Sequence, residues 1–310
     1  MLPLVERYRP QKISDCILPK NIKSTFEGIV RTGEVPNMIL SGGAGCGKTT
    51  VARAMCLELG LDYMFINASE DGGIDTLRTK IRNFASTVSL GGGKKVIILD
   101  EADYLNANTT QPALRGAIEE FAANCRFIMT CNYKARIIEP LHSRCTVVDF
   151  KIPIKEKPQL AGEFLERSKT IMDAESIQYE EKAVAELIIK YFPDFRKILN
   201  TIQRHAISGT ITSSVLSSGK DIDIDHLIKA MKTKSFADIR KWVTEHSDIE
   251  PTMVFRRIYE GLQEKMNTAS IPQAILILGE YQYKAAFVAD QEINLVACCL
   301  MLASDCSFDK

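Results

Sequence analysis

Five short apolar runs punctuate the first half of the chain, at 37–41, 63–67, 96–100, 126–131 and 146–150. Each is of strand length, rich in Val, Ile, Phe or Met, and apolar nearly throughout rather than alternating. Such runs read as strands covered on both faces, as in a parallel sheet flanked by helices. Segments 49–59 and 76–88 between them have helical spacing and supply the crossovers. Gly91-Gly92-Gly93 reads as a loop just before the third strand.

Beyond Phe150 the strand pattern stops. Pro153 and Pro158 mark a junction, and 159–172 and 180–191 read as amphipathic helices. Pro193 ends the second of these, and 195–205 begins another. Segment 208–220 is rich in Ser, Gly and Thr and reads as an exposed connection, after which everything from Ile224 onward is helix-like. The pattern therefore predicts an α/β domain over 1–150, a small helical domain with its linker over 151–220, and a second helical domain over 221–310.

Composition changes this picture little. A chain of 310 residues suits two or three domains, and 45% hydrophobic with 25% charged residues is ordinary for a globular protein. Lys and Arg number 39, as do Asp and Glu, which argues against non-specific coating of nucleic acid but leaves room for one basic face. No apolar run approaches the ~20 residues of a membrane helix, and the first residues lack an apolar leader, so a cytoplasmic protein with no membrane partner is expected. Nine cysteines without a Cys-x-x-Cys pair suggest reduced thiols rather than a zinc site or a disulfide framework. The four histidines, His142, His205, His226 and His246, have no metal-like spacing and read as structural or surface residues.

The chemistry is concentrated in the α/β half. Gly42-Gly43-Ala44-Gly45-Cys46-Gly47-Lys48-Thr49 fits G-x-x-x-x-G-K-[ST] and stands between an apolar run and a helical segment. Glycines let backbone N–H groups turn inward on phosphates, and the helix N-terminus adds partial positive charge. Lys48 can then reach the β- and γ-phosphates of a nucleotide, and the Thr49 hydroxyl can ligate Mg²⁺. A second element, Val96-Ile97-Ile98-Leu99-Asp100-Glu101-Ala102-Asp103, delivers acids from the end of a buried strand. Asp100 suits the second Mg²⁺-organising group, and Glu101 suits a general base polarising water for attack on the γ-phosphate.

Flanking motifs select among proteins that share this pair. Glu6-Arg7-Tyr8-Arg9-Pro10 resembles the E-K-Y-R-P box of clamp-loader ATPases. The helical segment 73–85 resembles their DNA-facing helix. Thr130-Cys131-Asn132-Tyr133, with Ser143-Arg144-Cys145 further on, is similar to their sensor-1 and S-R-C segments. Phe192-Pro193-Asp194-Phe195-Arg196-Lys197 resembles the start of their sensor-2 helix. In order and spacing the chain resembles the AAA+ sliding-clamp loaders: replication factor C small subunits and, in the wording of the last motif, the large subunits of T4-like phage loaders. For a phage protein, the expected location is the host cytoplasm.

That resemblance implies a P-loop AAA+ domain with a five-stranded parallel sheet, a helical lid domain and an all-helical collar domain that joins subunits. It implies ATP and Mg²⁺ as cofactors and, as partners, a sliding clamp, primer–template DNA, further copies of the chain and a non-identical loader subunit in a ring. Gly45, Cys46, Gly47, Lys48, Thr49 and Thr50 would hold the phosphates, with Val5, Glu6, Arg7, Tyr8 and Ile17 on the adenine side. Asn132 would contact the γ-phosphate or the attacking water, and Arg196 would contact phosphate from the lid. Arg144 would serve a neighbouring subunit's site.

Arg78, Lys80 and Arg82 share a segment whose Ile74, Leu77, Ile81 and Phe84 have helical spacing. The apolar set must face the sheet, which leaves the basic side chains able to meet DNA phosphates. Arg115 is a further basic residue that the resemblance places near DNA. Rival readings are another AAA+ DNA machine, such as a branch-migration helicase, and an adaptor that binds nucleotide without hydrolysing it.

Overall fold

In the computed structural model, residues 2–70, 73–87, 94–212, 224–247 and 249–308 are described. The Gly91–Gly93 loop, Val88 and positions 213–220 of the predicted connection lie outside them. The chain divides into two compact units, Met1–Leu216 and Ser217–Lys310.

The first unit is built on five parallel strands, β1 (Met38–Ser41), β2 (Tyr63–Asn67), β3 (Lys95–Asp100), β4 (Cys125–Cys131) and β5 (Thr146–Asp149), in the order β2-β3-β4-β1-β5. All five expected strands form, each within a residue of its apolar run. The register pairs Leu40 with Thr130 and Asn67 with Asp100. Side chains alternate between two cores. Met38, Leu40, Val96, Ile98 and Ile128 pack with α2 (Lys20–Thr32) and α3 (Lys48–Glu58) on one face. Ile39, Ile97, Leu99, Phe127 and Met129 pack with α4 (Ile74–Ala85) and α5 (Thr110–Glu120) on the other.

Burial on both faces holds for β1, β3 and β4 but not throughout the sheet. β2 is mostly half-buried, and β5 exposes Thr146 and Val147. These two are the sheet's edges, so their apolar sequences receive cover from fewer neighbours.

Pro10 and Pro19 predict an extended stretch, yet Leu4–Arg7 forms a helical turn (α1) and Ile13–Asp15 a 3₁₀ turn. Proline restricts the residue before it, here Arg9 and Leu18, and leaves 4–7 free to turn behind Pro3.

After a short helix α6 (Glu139–His142) and β5 come α7 (Lys157–Ala174), α8 (Glu181–Tyr191) and α9 (Phe195–Ser208). Their apolar faces enclose a separate core of Leu160, Phe164, Met172, Leu187, Ile198 and Ile202, and Leu4 of α1 is buried within it. The second unit contains α10 (Ile224–Lys232), α11 (Phe236–Glu245), α12 (Pro251–Lys265), α13 (Ile271–Lys284) and α14 (Gln291–Asp305) around Trp242, Phe255, Cys298 and Cys299. No helix among the described residues is long and apolar enough to cross a membrane. All nine cysteines are free thiols, eight of them buried.

Candidate functional site

The strand order decides where chemistry can gather. β1 and β3 are not neighbours, since β4 lies between them, and all three deliver their C-terminal ends to the same edge. Groups from three strand ends therefore converge in one crevice, the usual place for a ligand in an open parallel sheet.

The loop after β1 makes two left-handed turns, at Gly45 (φ +69°) and Gly47 (φ +96°), and then runs straight into α3. A side chain at Gly47 would meet open space, so its backbone angle alone demands glycine there. The first turn of α3 carries no side-chain cap, which leaves its N–H groups for an anion. Lys48, 8% exposed, curls back over the loop. Its Nζ donates to Gly42 O at 2.8 Å, Gly43 O at 2.7 Å and Asn132 Oδ1 at 3.0 Å. A buried ammonium held only by neutral acceptors is poised for a stronger, anionic partner.

From β3, Asp100 Oδ1 accepts from Thr49 Oγ1 and from Thr130 Oγ1, each at 2.6 Å. Thr49 and Asp100 present adjacent hard oxygen donors, which fit a divalent ion such as Mg²⁺. Glu101 adopts φ 57° and ψ 40°, a left-handed conformation rare for a residue with a side chain. Its N–H donates to Thr130 Oγ1 at 3.2 Å, and Glu101 lines the crevice. Asp103, two residues on and buried, turns the other way. Its Oδ2 accepts the N–H groups of Asn132 (3.2 Å) and Tyr133 (3.1 Å) and fixes the loop that carries Asn132.

The crevice opens into a cleft lined by residues of the N-terminal segment, the sheet edge and α7 and α9. Of the residues expected around a nucleotide, Val5, Tyr8, Ile17, 45–50, Asp100, Glu101, Asn132 and Arg196 line it. The side chains of Glu6 and Arg7 do not. Glu6 pairs with Arg9, whose hydrogen bond is the main cause holding the Glu6 carboxyl below its ordinary range, while Arg7 pairs with Glu175 at 2.6 Å. Sequence reading did not single out Arg9, which lies within the N-terminal segment expected beside the base, and it missed Asp15, Thr130, Phe164, Arg167 and Leu199; all of these line the cleft. Arg9 and Thr130 each lie in a quoted box; the rest arrive through tertiary packing.

Burial pushes the Cys46 thiol up despite Lys48 nearby, so this loop cysteine is a packed apolar group rather than a nucleophile. Arg196, exposed in the first turn of α9, reaches the cleft from the helical layer.

Arg144 is absent from the lining. Its Nε donates to Glu119 Oε1 at 2.8 Å, its Nη2 lies 2.5 Å from the same carboxylate, and its Nη1 donates to Pro140 O at 2.9 Å. Arg115 Nε lies 3.9 Å from Glu119, and Arg82 3.7 Å from Glu120. Arg78, Lys80 and Arg82 occupy the exposed side of α4, whose Leu77, Ile81 and Ala85 are buried against the sheet.

Two family models match: the ATPase family associated with various cellular activities (AAA) over residues 38–153, and the sliding-clamp-loader large subunit AAA+ ATPase lid domain over 156–217. The sliding-clamp-loader large subunit of Enterobacteria phage T4 is 34% identical across 97% of this chain and 96% of its own length. The chain belongs to the sliding-clamp-loader ATPase family. The large subunit from Escherichia phage RB69 is 33% identical over the same shares, and the replication factor C small subunit of Methanocella arvoryzae is 33% identical over 94% of this chain and 93% of its own. A solved structure of Thermotoga maritima RuvB aligns with TM-score 0.54 at 17% identity, covering 81% of this chain and 85% of that one. That likeness carries the AAA+ fold alone. The family is one of ATPases, which bind a nucleotide together with a divalent metal.

Proposed function

We propose that this chain is the ATPase subunit of a sliding-clamp loader. It works in a ring with further copies of itself and a non-identical loader subunit, in the cytoplasm, on a processivity clamp and primer–template DNA. The observation that carries the proposal is likeness to a phage loader subunit along 97% of the chain, joined to a complete phosphate loop and acid pair. The helical layer of the first unit acts as the lid, and residues 221–310 as the collar that joins subunits.

ATP is the nucleotide. Lys48 leaves its neutral acceptors for the β- and γ-phosphates, and the N–H groups of α3 receive the remaining charge. Thr49 Oγ1 and Asp100 would hold Mg²⁺, which would supply charge neutralisation at the nucleotide's phosphates. Glu101 takes a proton from the attacking water, whose oxygen bonds to the γ-phosphorus as the bond to the β-phosphate oxygen breaks and ADP leaves. Asn132 orients that water. Arg196 reports γ-phosphate to the lid, and Arg144 meets the same phosphate from the adjacent subunit, a contribution worth roughly 10³–10⁵ in rate where such fingers act. Arg78, Lys80, Arg82 and Arg115 bind DNA phosphates without reading sequence.

ATP bridging two subunits favours the clamp-opening ring, and loss of the γ-phosphate releases the clamp closed on the duplex. The reconstituted loader should turn over ATP far faster with clamp and primed DNA than without them. A rate indifferent to both would overturn the proposal. Equal turnover by the unaltered chain and Lys48→Ala would leave only a nucleotide-binding adaptor.

A further inference from the structure

Two of the chain segments that line the cleft belong to different cores. Leu4 is buried in the helical-layer core, with Val5, Tyr8 and Ile17 packed against it. Ile13, Cys16 and Leu18 are buried in the sheet-side core with α2 and α3. The N-terminal segment is bonded outward to the helical layer as well. Leu4 N–H donates to Gln203 Oε1 at 2.9 Å, and Tyr8 Oη donates to Glu175 Oε1 at 2.6 Å. Residues 4–8 are therefore held by the helical layer, while Ile13, Cys16 and Leu18 anchor the second segment in the sheet-side core and Ile17 between them turns toward the helical layer.

One side chain spans the two. Arg167, half-buried on α7, donates Nη1–H to Asp15 O at 2.8 Å and Nη2–H to Tyr8 O at 3.0 Å. Tyr8, Asp15 and Arg167 all line the cleft. A guanidinium is planar and rigid, so a fork with one bond on each segment sets their separation in a way that a single-point cation does not. Val5 and Ile17, apolar residues that line the cleft beside these two carbonyls, would then flank a flat aromatic ring at a set spacing.

We propose that Arg167 is a positioning residue for the base of the bound nucleotide, holding the two walls of the base slot at register across the joint between helical layer and sheet. The inference rests on the nucleotide reading of the cleft and extends it to a residue outside the phosphate loop and the acid pair. It also gives the base a mechanical role. Opening the helical layer stretches the bond to Asp15 O, and a base filling the slot resists that opening, so base occupancy and layer closure reinforce each other.

The test separates base from phosphates. Binding of ATP and of inorganic tripolyphosphate, each with Mg²⁺, is measured on the full chain for the unaltered protein, Arg167→Ala and Arg167→Lys. Arg167→Ala should weaken ATP by roughly tenfold, the loss of two charge-assisted hydrogen bonds that shape the slot, and leave tripolyphosphate within about twofold. Arg167→Lys should recover only part, because an ammonium cannot bridge both carbonyls in one plane. Parallel weakening of both ligands would mean a general structural role and would overturn the proposal, as would unchanged ATP affinity or complete rescue by lysine. Failure of the unaltered chain to bind ATP in a Lys48-dependent way would instead sink the nucleotide reading, and this inference with it.

Discussion

Thr130 is the smallest group on which the site depends. Buried on β4 between the two strands that carry the phosphate loop and the acids, it donates to Asp100 Oδ1 and accepts the Glu101 N–H. That single hydroxyl orients the carboxylate proposed to hold the metal and steadies the left-handed turn that presents the proposed base. A buried hydroxyl with both roles filled has no freedom to wander, so its removal is felt in geometry rather than in charge. Thr130→Val keeps the shape and deletes the hydroxyl, leaving the Glu101 N–H without its partner. ATP turnover at saturation should fall by roughly ten- to a hundredfold while KM moves far less, since ground-state binding rests mainly on the phosphate loop. Steady-state ATPase kinetics check this; a rise in KM at unchanged kcat would place Thr130 in nucleotide binding instead. Thr130 opens the sensor-1-like segment, but nothing there singles it out from its neighbours. It reads as one more strand residue beside Asn132, and only the insertion of β4 between β1 and β3 gives it two partners.

At the scale of elements, the contact that matters most joins α9 to the phosphate loop. Asp194 caps α9 by accepting the Lys197 N–H at 2.9 Å, and the Phe195 N–H donates to Gly45 O at 3.1 Å. A Cβ built on Gly45 would stand 1.8 Å from Asp194 Oδ1 and 3.3 Å from its Cα. Glycine at 45 is thus required twice, by a φ of +69° and by the approach of another helix. Gly45→Ala should push the start of α9 off the loop, costing about 1–3 kcal/mol from strain and displacement and weakening ATP together with tripolyphosphate. Thermal unfolding and the two-ligand binding assay read this out, and unchanged affinity for both would show that the contact is incidental to binding. The motif pattern marks Gly45 as a residue for phosphate approach but is silent about Asp194, because no local pattern says which helix will cover a loop. The same divide runs through the fold. β1, β3 and β4 are legible because burial on both faces leaves an unbroken apolar signature, and Lys48, Thr49, Asp100 and Glu101 because their spacing is fixed within single strand–loop units. Edge exposure of β2 and β5, the turn at Leu4–Arg7, and the arrival of Phe164, Arg167 and Leu199 at the cleft are set by long-range packing, which leaves no periodic trace.

For the whole molecule, the position of Arg144 bears on how subunits share a site. Its guanidinium is held by Glu119 and by the carbonyl of Pro140, and it does not line the cleft of its own chain. If Arg144 acts across an interface, Glu119 serves as its resting partner, and an ion pair that is 30% and 53% exposed is weak enough to give way to a phosphate. A site would then need Lys48 from one subunit and Arg144 from the next, which makes complementation possible. Loaders assembled wholly from Lys48→Ala or wholly from Arg144→Ala chains should each hydrolyse ATP at least a hundredfold more slowly than the unaltered loader, in line with the ~10³ or more expected of such groups. Co-assembly of the two variants in equal amounts places an intact Lys48 beside an intact Arg144 at roughly a quarter of neighbouring pairs under random assortment in a ring. Hydrolysis should therefore reappear in the mixture at a substantial fraction of the unaltered rate, and only when the subunits are assembled together rather than mixed as preformed rings. An activity that stays at the level of the two parents would mean that Lys48 and Arg144 must lie on one chain, and the ring's dependence on a shared nucleotide would have to be sought elsewhere.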